Sequence, residues 1–268
     1  MENSDYLKNL NENQLEAVKT IDGPVMVFAG AGTGKTRTLI SRIVYMIKEC
    51  NIQPYHILAI TFTKKATNEM RERLEKQIES KAKFVHISTI HSLCANILRR
   101  NATYLDYGRN FEVIDEEDQV KILNEIYKKS EINRRVLSPK VAIKAIGDFK
   151  NKSCLELVGL LKTVYNEYQT FLKENNMMDF EDLLVLTYQL FKENPNILEY
   201  YQDEFKYILV DELQDTNVVQ YDIINLLCQK YENIFAVGDD DQSIYSFRGA
   251  KIENMMTFKE DHPKAKII

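Results

Sequence analysis

The chain has 268 residues, 44% hydrophobic and 28% charged, which is long enough for one large or two modest domains with real cores. A net charge of −5 excludes a chain that is basic throughout, so any nucleic-acid site must be a local positive surface. The four cysteines lack any C-x-x-C pairing, which excludes a zinc module; buried thiols in a reducing, cytoplasmic setting are expected, with no signal peptide and no membrane-spanning run.

In chain order, the first strand pattern is the apolar run Val25–Phe28, followed by AGAGTGKT at Ala29–Thr36 and an amphipathic helix over Thr38–Lys48. Strand, glycine loop, helix is the order a phosphate site requires. Glycines let the chain turn sharply, so backbone N–H groups along Ala29, Gly30, Ala31, Gly32, Thr33 and Gly34 point inward at the phosphates. A helix beginning near Gly34 adds its positive end, Lys35 can reach the β- and γ-phosphates, and the Thr36 hydroxyl can ligate Mg²⁺. Ala29 stands where the pattern usually has Gly. The segment predicts a nucleoside triphosphate site.

Further short apolar runs follow at Ile57–Phe62, Val85–Ile90, Tyr207–Val210, Ile234–Val237 and Lys266–Ile268. Helical patterns lie between them at Lys64–Ser80, His91–Arg100, Val218–Gln229 and Ile252–Lys259. The runs are nearly continuous in hydrophobicity rather than alternating, which predicts an α/β fold: a parallel sheet covered by helices on both faces. The stretch from Tyr104 to Met178 shows no strand pattern. Its apolar residues fall at helical spacing in Val120–Tyr127, Val141–Phe149 and Leu155–Leu172, and Ser138-Pro139 reads as an N-cap followed by Pro at the first helical position. The expected organisation is a sheet domain in two parts, 1–103 and 179–268, interrupted by a helical insertion at 104–178. Arg134, Arg135, Lys140, Lys144, Lys150 and Lys152 have few acids near them, and form either a duplex-contacting face or a solvated helical surface.

A phosphate loop needs an acidic partner at the tip of another core strand. Tyr207–Val210 runs straight into Asp211 and Glu212. Alone, this is an ordinary solvated loop; with the phosphate loop present, Asp211 becomes a metal-shell carboxylate and Glu212 the group that orients or deprotonates water. Ile234–Val237 leads through Gly238-Asp239-Asp240-Asp241 to Gln242, which on spacing alone is either a γ-phosphate sensor or a polar turn residue.

The ordered set LNENQ, AGAGTGKT, TFTKKATNEM, STIHSL, DFEDLL, DELQDT and VGDDDQSIYSFRGA spans Leu10 to Ala250 and resembles the UvrD/Rep/PcrA group of superfamily 1 DNA helicases. The resemblance implies a RecA-like motor domain with a helical insertion, ATP and Mg²⁺ as ligands, and single-stranded DNA and single-strand/duplex junctions as partners, with 3′-to-5′ polarity. Gln14 matches the glutamine that reads adenine, and Arg37 an arginine near the nucleotide. Phe62, Thr63 and Lys64 match the first DNA-contacting motif, in which Lys64 replaces the usual Asn. Thr89 and His91 match the second. Tyr245 and Phe247 match aromatic positions that stack on bases, Phe247 where Trp is commoner, and Arg248 resembles a residue coupling the ATP site to the strand. The matched motifs belong to a first motor domain only; a second one in cis, carrying arginine fingers, is expected to complete the engine. The chain therefore reads as an N-terminal fragment, nearly inactive alone. The alternatives are the motor of a helicase–nuclease subunit and a non-catalytic, ATP-switched DNA-binding module.

Overall fold

A computed structural model describes residues 5–30, 32–239 and 253–268, and they form two units. The first comprises 1–90, 195–217 and 224–268; the second comprises 91–194 and 218–223. Among the described residues no helix is long and apolar enough to cross a membrane. All four cysteines are free thiols, but the expectation that they are buried fails for Cys50, which is exposed, and for Cys154, which is half-buried.

The first unit is built on a six-stranded sheet in which every paired neighbour is parallel. Its strands are β1 (Val25–Phe28), β2 (Ile57–Thr61), β3 (His86–Thr89), β6 (Tyr207–Val210), β7 (Ile234–Gly238) and β8 (Lys266–Ile267), in the order β3-β2-β6-β7-β1-β8. Helices α1 (Glu12–Lys19), α2 (Lys35–Lys48), α3 (Lys64–Ile78), α9 (Pro195–Glu204) and α11 (Glu253–Asp261) belong to this unit. Every residue of β2 and β7 is buried, as strands covered on both faces require, and this accounts for their unbroken hydrophobicity. Ile43, Val44, Ile57, Ala59, Leu209, Phe235 and Val237 meet in one core. The expected strand Ile57–Phe62 stops at Thr61, since Phe62 is already exposed beyond the sheet edge.

The second unit is mostly helical: α4 (Ile90–Asn101, from His91 on), α5 (Glu116–Lys129), α6 (Pro139–Lys150), α7 (Gly159–Glu174), α8 (Phe180–Glu193) and the first turns of α10 (Val218–Cys228). Ser138 accepts the Val141 N–H and Pro139 opens α6, the cap expected from the sequence. Two expectations fail here. The stretch is not free of strands, because β4 (Glu112–Val113) pairs in parallel with β5 (Met177–Met178). The helix expected from Leu155 begins only at Gly159, leaving Leu155 almost wholly exposed.

Lys150 also departs from the expected basic face. Its side chain is buried, with Nζ 2.6 Å from Asp179 and 2.7 Å from Asp182, where burial and the neighbouring Asp179 charge push the Asp182 carboxyl up to about 6. Those two acids form the reciprocal capping box at the start of α8, and the Tyr168 hydroxyl donates to Asp179 at 3.0 Å. Lys152 is paired with Asp222 at 2.5 Å. Arg134, Arg135, Lys140 and Lys144 remain exposed.

Candidate nucleotide site at the carboxyl edge of the sheet

Because all six strands run the same way, their carboxyl ends share one edge, the usual ligand side of an open α/β sheet. At that edge β1 enters the loop that precedes α2. Gly32 and Gly34 have φ of +75° and +91°, values L side chains rarely adopt. A Cβ on Gly34 would also sit 3.3 Å from the Gln14 amide nitrogen. Ala29 needs no such freedom: its N–H extends the β1–β7 ladder by donating to Gly238 O at 3.0 Å. That is why Ala is tolerated at the first position of the loop.

Lys35, the first residue of α2, reaches Glu212 Oε2 at 2.8 Å and Asp239 Oδ2 at 3.4 Å. Burial alone would lower its ammonium, but the hydrogen bonds and charges of Glu212 and Asp239 outweigh that and hold it above the usual lysine value. Glu212 is the left-handed residue that turns the chain sharply after β6, with φ +52°. For a residue other than Gly this is a strained conformation, of the kind that gathers at functional sites. Gln214 fastens the carboxylate from behind: its Nε2 donates to Glu212 Oε2 at 2.7 Å while its Oε1 accepts the Asp239 N–H at 3.2 Å.

Asp211 continues the ladder through its N–H to Ile60 O, but its buried Oδ1 has no hydrogen-bond partner. Burial first, then the charges of Glu212 and Asp215, push its carboxyl up to about 6 against the pull of Lys35. An orphaned carboxylate oxygen fits a hard cation. Among the described residues no group of three or more His, Cys, Asp or Glu side chains could hold a metal unaided. Mg²⁺ does not need one, since it keeps water and takes one or two carboxylates plus substrate phosphates.

Gln14 forms a capping box with Asn11 at the start of α1, its Oε1 accepting the Asn11 N–H at 3.0 Å, and its Nε2 donates to Thr33 O at 2.8 Å. It therefore caps a helix and touches the phosphate loop at once. Arg37 donates to Lys8 O at 2.8 Å. A concavity of about 210 Å³ is lined by Asn11, Gln14, Ala29, Gly30, Thr33 and Lys35 among others. Two larger hollows, one of about 430 Å³ lined by Arg37, Arg73 and Lys76 among others and one of about 490 Å³ beside Glu125 and Glu167, include no residue of the Ala29–Thr36 segment.

The UvrD/REP helicase N-terminal domain profile matches residues 10–263. The chain belongs to that family. It is 44% identical to the ATP-dependent DNA helicase PcrA of Staphylococcus aureus, and equally to that of Staphylococcus epidermidis; each match covers 98% of this chain and 37% of the relative. The chain thus spans just over a third of the length of these relatives.

The remaining residues that the helicase resemblance singles out divide three ways. Phe62, Thr63 and Lys64 follow β2 at the same sheet edge, all exposed, with Thr63 capping α3 by accepting the Ala66 N–H at 3.1 Å. Thr89 ends β3 in register with Thr61. His91 lies in the helical unit with its ring edge-on to Phe180 at 6.0 Å, and burial lowers its basicity. Ala31, Gln242, Tyr245, Phe247 and Arg248 lie outside the described residues. Sequence reasoning missed Gln214 and Asp239 as members of the site. The signal was present for Asp239, an acid directly at a strand tip, and much weaker for Gln214, one polar residue in a polar turn.

Proposed function

We propose that this chain is the ATP-binding motor portion of an ATP-dependent DNA helicase, coupling hydrolysis to 3′-to-5′ movement on single-stranded DNA and to opening of duplex at a junction. The observation that carries the reading is the meeting of Lys35 with Glu212 and Asp239, beside the unpartnered Oδ1 of Asp211. Backbone N–H groups of the loop from Gly30 to Gly34 and the start of α2 receive the phosphates, while the Ala29 N–H, committed to Gly238 O, holds the loop's entry to the sheet. Lys35 exchanges its two carboxylate partners for phosphate oxygens, which frees Glu212 to accept a proton from the attacking water. Gln214 keeps Glu212 from swinging away, and Gln242 contacts the γ-phosphate. Asp211 and Thr36 hold Mg²⁺, which when bound neutralises charge on the phosphates.

Gln14 reads adenine with the N–H and lone pair left over after its bonds to Thr33 and Asn11, and Arg37 flanks the nucleotide. The strand lies along Phe62, Thr63, Lys64, Thr89 and His91, and stacks on Tyr245 and Phe247, with Arg248 linking it to the ATP site. The helical residues act as an insertion of the motor whose four exposed cations, Arg134, Arg135, Lys140 and Lys144, meet duplex phosphates. Arginines from a second motor domain in cis complete the charge stabilisation, a contribution typically worth about 10³–10⁵ in rate.

The test is ATP turnover by the full-length protein with and without single-stranded DNA, beside Lys35→Ala. Strong stimulation by DNA, absent in the variant, is expected. Equal turnover with and without DNA, or an undiminished Lys35→Ala protein, would overturn the assignment.

A further inference from the structure

Arg42 lies two turns into α2 from Lys35, and its side chain is sealed from solvent. Helix interiors seldom bury an arginine without a carboxylate against it. Its partners are instead backbone carbonyls at the end of α1: one guanidinium nitrogen donates to Ala17 O at 2.7 Å and to Thr20 O, and the other donates to Ile21 O at 3.0 Å. The guanidinium also lies over the Phe235 ring, 4.3 Å from its centroid, on the strand that ends at Gly238. Ala17 O is one of the carbonyls a helix leaves unpaired at its C-terminus, and the Thr20 and Ile21 carbonyls belong to the cap and the residue after it, where a cation is favoured.

The object being held is small. α1 has eight residues, too short to be stable by itself; its start, where Gln14 lies, is tied to the phosphate loop by the Gln14 bond to Thr33 O, and further along Glu16 pairs with Lys266 at 2.6 Å while Ala17 and Val18 are buried. A helix gripped at one end by the phosphate loop and at the other by the helix that follows that loop has its axial position and rotation determined. Resting on the nucleotide site above, we propose that Arg42 is a positioning residue for base recognition: it clamps α1 so that the Gln14 amide meets the adenine edge. Lysine would keep the charge but not the fork that spans three carbonyls.

The experiment is calorimetric titration of this 268-residue chain with ATP, GTP and inorganic tripolyphosphate, each with Mg²⁺. Arg42→Met should weaken ATP about tenfold, the scale of one misplaced bidentate base contact, and move GTP and tripolyphosphate by less than about twofold. Parallel weakening of all three ligands, or no weakening, would reduce Arg42 to a fold-holding residue and overturn the proposal. Should Arg42→Met not fold, Arg42→Lys serves, with an intermediate loss confined to ATP. In the double variant Gln14→Ala/Arg42→Lys the loss should not exceed that of Gln14→Ala; additive losses would show that Arg42 does not act through Gln14. A wild-type chain that binds tripolyphosphate but does not prefer ATP to GTP sinks the positioning role and leaves the phosphate site standing. One that binds none of the three sinks both.

Discussion

Each unit contains a lysine held between two carboxylates, and the two triads behave as different devices. In the helical unit Lys150 lies between Asp179 and Asp182, with side chains 2%, 2% and 3% exposed. In the sheet unit Lys35 lies between Glu212 and Asp239, but Glu212 is 28% exposed and sits at the open edge of the sheet. The sealed triad has Tyr168 and a helix cap to satisfy it and no path for an outside ligand to compete. The open one exposes a carboxylate that water or an incoming anion can replace as the lysine's partner. Identical chemistry thus locks a helix start in one place and leaves a lysine within reach of solvent-borne partners in the other, with solvent access as the deciding variable.

The comparison is broken most directly by removing one partner from each triad. Glu212→Gln in the full-length protein should leave ATP affinity intact and lower hydrolysis by about 10²–10⁴-fold, read by phosphate release beside calorimetry. Its effect on unfolding should be small, because the side chain is partly solvated. Lys150→Met should do the reverse, costing about 3–5 kcal/mol in denaturant unfolding because it strands two buried carboxylates. Combining it with Asp179→Asn and Asp182→Asn should restore most of that loss, since Asn still caps a helix. A triple variant no more stable than Lys150→Met would show that the buried charges stabilise the fold outright.

Gln214→Ala sharpens the contrast by loosening the open triad without discharging it. A drop in kcat of about tenfold, equivalent to ~1.4 kcal/mol, is expected with KM for ATP nearly unchanged. The smallest effect is one of pH. Burial, with the adjacent Asp179 charge, raises the Asp182 carboxyl to about 6 against roughly 3.9 in an unfolded chain. The folded state therefore binds this proton more tightly, so the associated penalty is full above about pH 6 and fades as pH falls towards 4. Hydrogen exchange at the start of α8 should slow relative to Asp182→Asn over that interval; a constant ratio would remove the effect.

The glycine turn between β1 and α2, the acidic turn after β6 and the parallel sheet were legible because each is local: a continuous apolar run, then a turn of distinctive residues, within a dozen positions. The capped start of α6 was legible for the same reason. Lys150 was not, since one lysine on a helix resembles any solvated cation until α8, some thirty residues on, brings two acids against it. The β4–β5 pair escaped notice because two two-residue strands separated by three helices carry no periodicity. Leu155 misled in the other direction: helical spacing of apolar residues continued past the point where the backbone became irregular.

What the sequence alone determined, then, is the chemistry available at each strand tip, because a strand followed by glycines or acids specifies its own turn. Only the tertiary structure decided which charges face one another and which face water. Gln214 behind Glu212, Asp239 beside Lys35 and Arg42 beneath α1 are contacts between segments from 21 to more than 200 residues apart, or across a single strained turn, and packing rather than local pattern sets them.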